Sequence, residues 1–270
     1  MSFSSRLLRW YDQFGRHDLP WQQQRSPYRV WVAEIMLQQT QVATVIPYYL
    51  RFMQAFPNLT ALAMAPLERV LELWSGLGYY SRARNLHNAA RVIAAEFDGE
   101  FPNHFDQVMA LPGIGQSTAG AILAQSRKQR YAILDGNVKR VLCRYHAVDG
   151  WPGRAAVQKQ LWRYAEQHTP DERVDDYTQA IMDLGATVCT RTSPRCQQCP
   201  VQIDCTAYGR DHVNRYPSPR PRKALPIKAV RFLILTDRTT GRICLLYTSP
   251  SPRDISAYRV CRLLLEKGGG

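Results

Sequence analysis

The chain has 270 residues, 45% hydrophobic and 21% charged, which excludes a disulfide-stapled miniprotein and a wholly disordered, collagenous or coiled-coil chain. Its formal net charge is +13 and lies late: residues 210–270 hold thirteen basic against four acidic side chains, net +9, and residues 1–209 only +4. A surplus of this size draws a protein toward phosphate polyanions, although a solvated basic linker carries the same signature. No apolar run approaches the roughly 18 to 20 residues of a membrane span. The first residues, Met1-Ser2-Phe3-Ser4-Ser5-Arg6, lack the apolar segment of a secretory signal. A soluble cytoplasmic protein with reduced cysteines is expected, nucleoid-associated if bacterial.

Helical periodicity dominates the first two hundred residues and predicts an all-α domain, with helices over 5–14, 28–37, 67–73, 81–97, 105–111, 117–126, 137–146, 155–168 and 177–189. Val42, Val45, Ile46, Tyr49, Phe52, Met53 and Phe56 form a further amphipathic stripe, in which Pro47 marks a kink or a helix start. Within the second helix Glu34 is the only charge between Val30 and Gln41. Apolar neighbours on every side would desolvate its carboxylate and favour the protonated form, suited to a general acid. Gly76-Leu77-Gly78 is a turn-like separator.

Leu111-Pro112-Gly113-Ile114-Gly115, between two helical stretches, is the pattern of a helix-hairpin-helix. Gly113 and Gly115 permit a tight turn whose backbone N–H groups can meet a phosphate at a helix N-terminus, with Ser117 in the first turn. Carbonyls of such a turn can also hold a monovalent cation. Downstream, Leu134-Asp135-Gly136-Asn137-Val138-Lys139-Arg140 places Asp135 where an ordinary N-cap is also expected.

Cys189, Cys196, Cys199 and Cys205 follow as C-x6-C-x2-C-x5-C. Four thiols this close suggest a metal site. Zinc favours two short knuckles, whereas one C-x2-C between longer loops suits the four corners of a [4Fe-4S] cluster. Arg191, Arg195 and Arg210 make the loop basic, as a phosphate-contacting element would be. Cys143, Cys244 and Cys261 are scattered and read as inert.

Residues 1–209 thus form one domain, with the cysteine loop at 189–205, and 210–226 is a basic proline-rich linker. Residues 229–236 and 242–246 flank a turn-rich 237–241 and predict a β-hairpin, within a segment bounded at 227–246. From 247 to 270 the pattern breaks into a string that resembles a translated sequencing adapter, ending in Gly268-Gly269-Gly270, and is read as non-native.

The hairpin, the aspartate and the cysteine loop, in that order, resemble the endonuclease III-like superfamily of DNA glycosylases. Tyr28 to Val42 (YRVWVAEIMLQQTQV), Leu19-Pro20-Trp21 and Gly76 to Leu86 (GLGYYSRARNL) narrow the resemblance to the adenine DNA glycosylase (MutY) family, over about residues 10–246. The resemblance implies a two-lobed helix-hairpin-helix glycosylase fold with a [4Fe-4S] loop and the truncated start of a Nudix-like domain that reads 8-oxoguanine. It implies a base-excision-repair enzyme, a monomer without membrane contact, that hydrolyses the N-glycosidic bond of adenine mispaired with 8-oxoguanine or guanine in double-stranded DNA. Glu34 would protonate adenine at N7, an ionised Asp135 would stabilise the oxocarbenium-like sugar, and Asn137 would orient them. Gln38, Gln39 and Tyr79 would enter the base stack, and Gly113, Gly115, Ser117 and Lys139 would contact DNA. Tyr79 is alternatively a core aromatic. Lyase members carry a lysine two positions after the hairpin's second glycine; Ser117 stands there, which predicts a mainly monofunctional enzyme. His17 replaces a lysine common in the family. Loss of the Nudix-like domain would weaken discrimination of 8-oxoG:A over G:A. The alternatives are an endonuclease III-like lyase acting on oxidised pyrimidines and a non-catalytic iron–sulfur DNA-binding module.

Overall fold

The computed structural model describes residues 1–221, 232–236, 239–240 and 243–247. The remaining residues of the segment 222–270, which include most of the expected non-native tail, lie outside the described residues. Contacts divide the chain into two units, Met1–Pro221 and Arg222–Gly270.

The first unit is helical. Helix α1 (Phe3–Phe14) starts at Ser2, whose Oγ accepts the Ser5 N–H at 3.1 Å. Helix α2 (Pro27–Leu37) is capped by Ser26 and opens with proline in its first turn, where a missing N–H costs nothing. Its buried side chains Tyr28, Val30, Trp31, Val32, Ala33, Ile35 and Met36 lie all around the axis, which makes it a core helix. Helix α3 (Val42–Ala55) runs through Pro47, so the proline neither starts nor ends it. Helix α4 (Leu59–Met64), capped by the Asn58 side chain, has no counterpart among the expected elements. Helices α5 (Leu67–Trp74), α6 (Ser81–Glu96), α7 (Phe105–Met109), α8 (Gln116–Arg127), α9 (Gly136–Tyr145) and α10 (Ala155–His168) match the periodicity within a few residues. Helix α11 (Val174–Asp183) is shorter than the expected 177–189 at its far end, because the chain passes there into a π-helical turn, Leu184–Val188, just before Cys189. A short helix α12 (Thr206–Gly209) follows the cysteine loop.

Two hydrophobic cores organise these helices. One gathers Trp31, Met36, Tyr49, Phe52, Leu62, Trp74, Leu86 and Ile93 with Ile122 and Leu123 of α8. The other gathers Leu7 and Tyr11 of α1 with Val138, Leu142, Leu161, Ile181 and Leu184. Helix α8 serves both, since its Ala121 belongs to the second core. The chain therefore begins in the same lobe in which residues 133–216 end. Arg16 fastens this return: its backbone N–H and guanidinium bind the fully buried Asp183 carboxylate at 2.6 to 2.9 Å.

The basic segment after residue 209 is anchored at Tyr216, which is buried in the second core and donates its hydroxyl to Asp149 at 3.0 Å. In the second unit β1 (Phe232–Thr236) and β2 (Ile243–Tyr247) pair antiparallel, with Ile234 opposite Leu245. This is the expected hairpin, extended by Tyr247.

His146 and His168 meet in the second lobe, Nε2 to Nε2 at 2.8 Å, with His146 stacked on Tyr164. Burial depresses both, His146 to about 4. Their folded pKa values lie below the unfolded value of about 6.5, so this stability is present above that value and is lost as pH falls toward 4. The urea midpoint should fall between pH 6.5 and 4.5 more steeply in the wild type than in an H146F/H168F variant. Equal slopes would remove the pair from the account.

Candidate active site

A cleft of about 750 Å³ separates the two cores, with Leu19, Trp21, Glu34, Gln38, Ser117, Asp135, Asn137 and Gln179 among its lining residues. Glu34 comes from α2 in the first lobe and Asp135 from the N-terminus of α9 in the second. Two carboxylates a hundred residues apart in the chain thus face one cavity.

Glu34 keeps some exposure to the cleft, yet protein rather than bulk water sets its solvation. Its Oε1 accepts one hydrogen bond, from Gln125 Nε2 on α8 at 3.0 Å. Burial pushes its carboxyl up to about 7, with the negative field of Asp135 adding to the rise and the Gln125 bond opposing it. Gln125 is itself buried, so it holds Glu34 in one orientation. Sequence patterning had marked Glu34 but not Gln125.

Asp135 is both an N-cap and a cleft residue. Its Oδ1 accepts the Val138 N–H at 2.8 Å and its Oδ2 the Asn137 side-chain amide at 3.2 Å. Two effects oppose each other at Asp135. Burial raises its pKa too, against the lowering effect of the Val138 and Asn137 donors and of Arg140. The two acids still differ in kind: the Asp135 anion has several donors aimed at it, and Glu34 has one.

Asn137 is held in turn. Arg140 donates from NH2 to Asn137 Oδ1 at 2.8 Å and to the Gly185 carbonyl at 2.7 Å, and from Nε to the Cys189 carbonyl at 2.8 Å. The pair therefore rests on the π-helical turn and the start of the cysteine loop. A Cβ on Gly185 would lie 2.6 Å from Asn137 Cβ and 3.0 Å from its Cα, so only glycine lets α9 seat this closely.

Ser117 lines the cleft and its Oγ accepts the Leu134 N–H at 2.9 Å, tying α8 to the segment that delivers Asp135. Gly113 turns the hairpin at φ +79° against Asn85, and Gly115 caps α8 with open space where a side chain would stand. Lys139 is half-buried on α9 and is not among the residues lining the cleft; no lysine is. Gln39 and Tyr79 lie outside the lining as well, each at a positive φ, 59° and 49°. Tyr79 is 59% exposed, which rules out its reading as a core aromatic.

Cys189, Cys196, Cys199 and Cys205 all line a second, apolar cavity with Val141, Leu184, Val188 and Val201, and none is in a disulfide. Among the described residues no three metal-binding side chains converge as one ion requires. The buried Arg144 spans this loop: it donates to Cys189 Sγ at 3.3 Å and to the carbonyls of Thr190, Arg191, Val213 and Tyr216 at 2.7 to 3.1 Å. Arg191, Arg195 and Arg210 are exposed around it.

Substituting Gly185→Ala should cost about 1–3 kcal/mol through overpacking against Asn137, read as a lowered thermal midpoint. An unchanged midpoint would show that α9 can shift freely.

Residues 32–167 match the family model described as the HhH-GPD superfamily base excision DNA repair protein. The chain is 47% identical over 206 residues to the adenine DNA glycosylase of Buchnera aphidicola subsp. Baizongia pistaciae, covering 76% of this chain and 58% of the relative. It is 50% identical over 218 residues to the adenine DNA glycosylase of Mus musculus, covering 77% and 42%. The chain thus spans between two fifths and three fifths of these relatives. In structure it resembles a thermostable thymine-DNA glycosylase, with a TM-score of 0.70 and 27% identity over 77% of this chain and 95% of the other.

Proposed function

Because this chain belongs to the helix-hairpin-helix superfamily of base-excision repair proteins, and within it to the adenine DNA glycosylase family, we propose that it hydrolyses the N-glycosidic bond of adenine mispaired with guanine or 8-oxoguanine in double-stranded DNA. The observation that carries this reading is the shared cleft of Glu34 and Asp135, with Glu34 raised to about 7.

An extruded adenine would stand between the two lobes. Glu34 donates its proton to N7, so the electron pair of the breaking C1′–N9 bond is accepted by a purine that leaves neutral. Positive charge then develops on the sugar beside Asp135. That charge is stabilised by the Asp135 carboxylate, whose anion Val138, Asn137 and Arg140 already support. Water adds to C1′ and gives up a proton to a carboxylate, leaving an abasic site. Asn137, held by Arg140, keeps Asp135 in register. Extrusion costs a few kcal/mol, and Gln38, Gln39 and Tyr79 fill the vacated stack. Ser117 is engaged with Leu134, and no lysine lines the cleft, which supports base removal without a Schiff-base lyase step. The open N-terminus of α8 at Gly115, together with the exposed arginines of the cysteine loop, would receive backbone phosphates.

The cysteine loop fits a [4Fe-4S] cluster held by Cys189, Cys196, Cys199 and Cys205. Four free thiols around one apolar cavity offer a ligand to each corner, and Arg144 provides charge beside a sulfur. When bound, the cluster would act as a metal cross-link that fixes the loop. The purified chain should contain about four iron and four sulfide; one zinc and no sulfide would overturn this assignment.

E34Q should abolish adenine release while duplex binding persists. In the wild type the single-turnover rate should hold below about pH 7 and fall above it, as Glu34 loses its proton. A rate that rises through this range, or an active E34Q, would refute the general-acid role.

A further inference from the structure

Arg82, near the start of α6, is buried, and the hydrogen-bond partners of its guanidinium include no carboxylate. NH1 donates to the carbonyls of Ile35, Met36 and Gln38 at 3.0, 2.9 and 2.5 Å, and thereby caps the C-terminus of α2. NH2 donates to Thr40 Oγ1 at 3.2 Å and to the carbonyls of Leu77 and Gly78 at 3.4 and 3.2 Å. The same group lies 5.4 Å from the centre of the Tyr79 ring and 5.6 Å from that of Trp74. One side chain thus joins two loops that sequence separates by some forty residues: 38–40, bearing Gln38 and Gln39, and 77–79, bearing Tyr79.

Both loops hold conformations that do not sustain themselves. Gln39 and Tyr79 have positive φ, a region that residues other than glycine seldom occupy without support. A helix C-terminus welcomes a cation, and a planar guanidinium can reach carbonyls on two sides at once. A core arginine that served only packing would not need to collect four acceptors from these two loops and two more from the end of α2.

We propose that Arg82 is a positioning residue which presets the two loops that enter the DNA, so that the surface replacing the extruded base exists before extrusion begins. The inference rests on the adenine glycosylase reading above. Arg82 touches no reacting atom; its effect lies in the extrusion step, because loops ordered in advance need not be ordered at the expense of the flipping equilibrium.

The test compares wild type, R82M and R82K in single-turnover adenine release at saturating protein, on two duplexes. One carries adenine opposite guanine; the other carries adenine opposite an abasic-site analogue, where no pairing opposes extrusion. R82M should lose on the order of 100-fold on the first duplex and several-fold less on the second, and R82K should recover part of the loss. The fluorescence of 2-aminopurine beside the target should rise less on binding R82M than on binding wild type. Equal losses on the two duplexes, or none, would overturn the proposal, since a general folding or chemical defect does not distinguish the substrates. If R82M does not fold, R82K and T40V, which removes one acceptor, decide by the same comparison. A wild type that releases adenine from neither duplex would instead refute the glycosylase reading.

Discussion

The placement of one carboxyl group governs the site. Glu34 sits on a helix apolar around its whole circumference, pressed between the remaining first-lobe helices and α8, and this denies its anion the water it needs. Burial is ordinarily a cost for a carboxylate, and here it stores a proton near neutral pH. The arrangement works only because the second lobe returns Asp135 to the same cleft, which in turn requires α1 to pack against α11 and residues 133–135 to run beside α8. The two-lobed topology is therefore the means by which two acids in unlike surroundings come to share a cavity.

Buried arginines are the second recurring device. Arg82, Arg140 and Arg144 each spend most of their donors on main-chain carbonyls. Each joins segments distant in sequence: Arg82 two loops of the first lobe, Arg140 the Asn137 amide and the π-helical turn, Arg144 the cysteine loop and residues 213–216. Carbonyl acceptors leave the cation without a fixed counter-ion and make each clasp specific to backbone geometry rather than to a partner side chain. Lysine, a point donor on a flexible stem, cannot span such separated acceptors.

Much of this was legible in the sequence. Most helices announced themselves by apolar spacing, and Glu34 by standing alone in an apolar run. α4, at six residues, was missed although the shorter α7 was found. Asp135 was legible twice over, as a cap and as a candidate site residue; the cap is present in the geometry, and the residue lines the cleft. The upward push that burial gives its pKa was not legible, because burial depends on how two lobes close. Gln125 was hidden because its partner lies 91 residues away and a glutamine within a helix carries no local signal. Arg82 and Arg140 were hidden for a different reason: carbonyl acceptors belong to every residue and leave no trace in side-chain pattern. Gly185 matters through contact with α9, which only the packed structure reveals.

The central claim concerns the proton on Glu34 and its dependence on Asp135. Infrared difference titration of the free protein against E34Q would follow that carboxyl directly. The account predicts a midpoint near 7, moving downward in D135N as the neighbouring negative charge is removed. A midpoint near the ordinary carboxylate value of about 4.3, indifferent to Asp135, would contradict it.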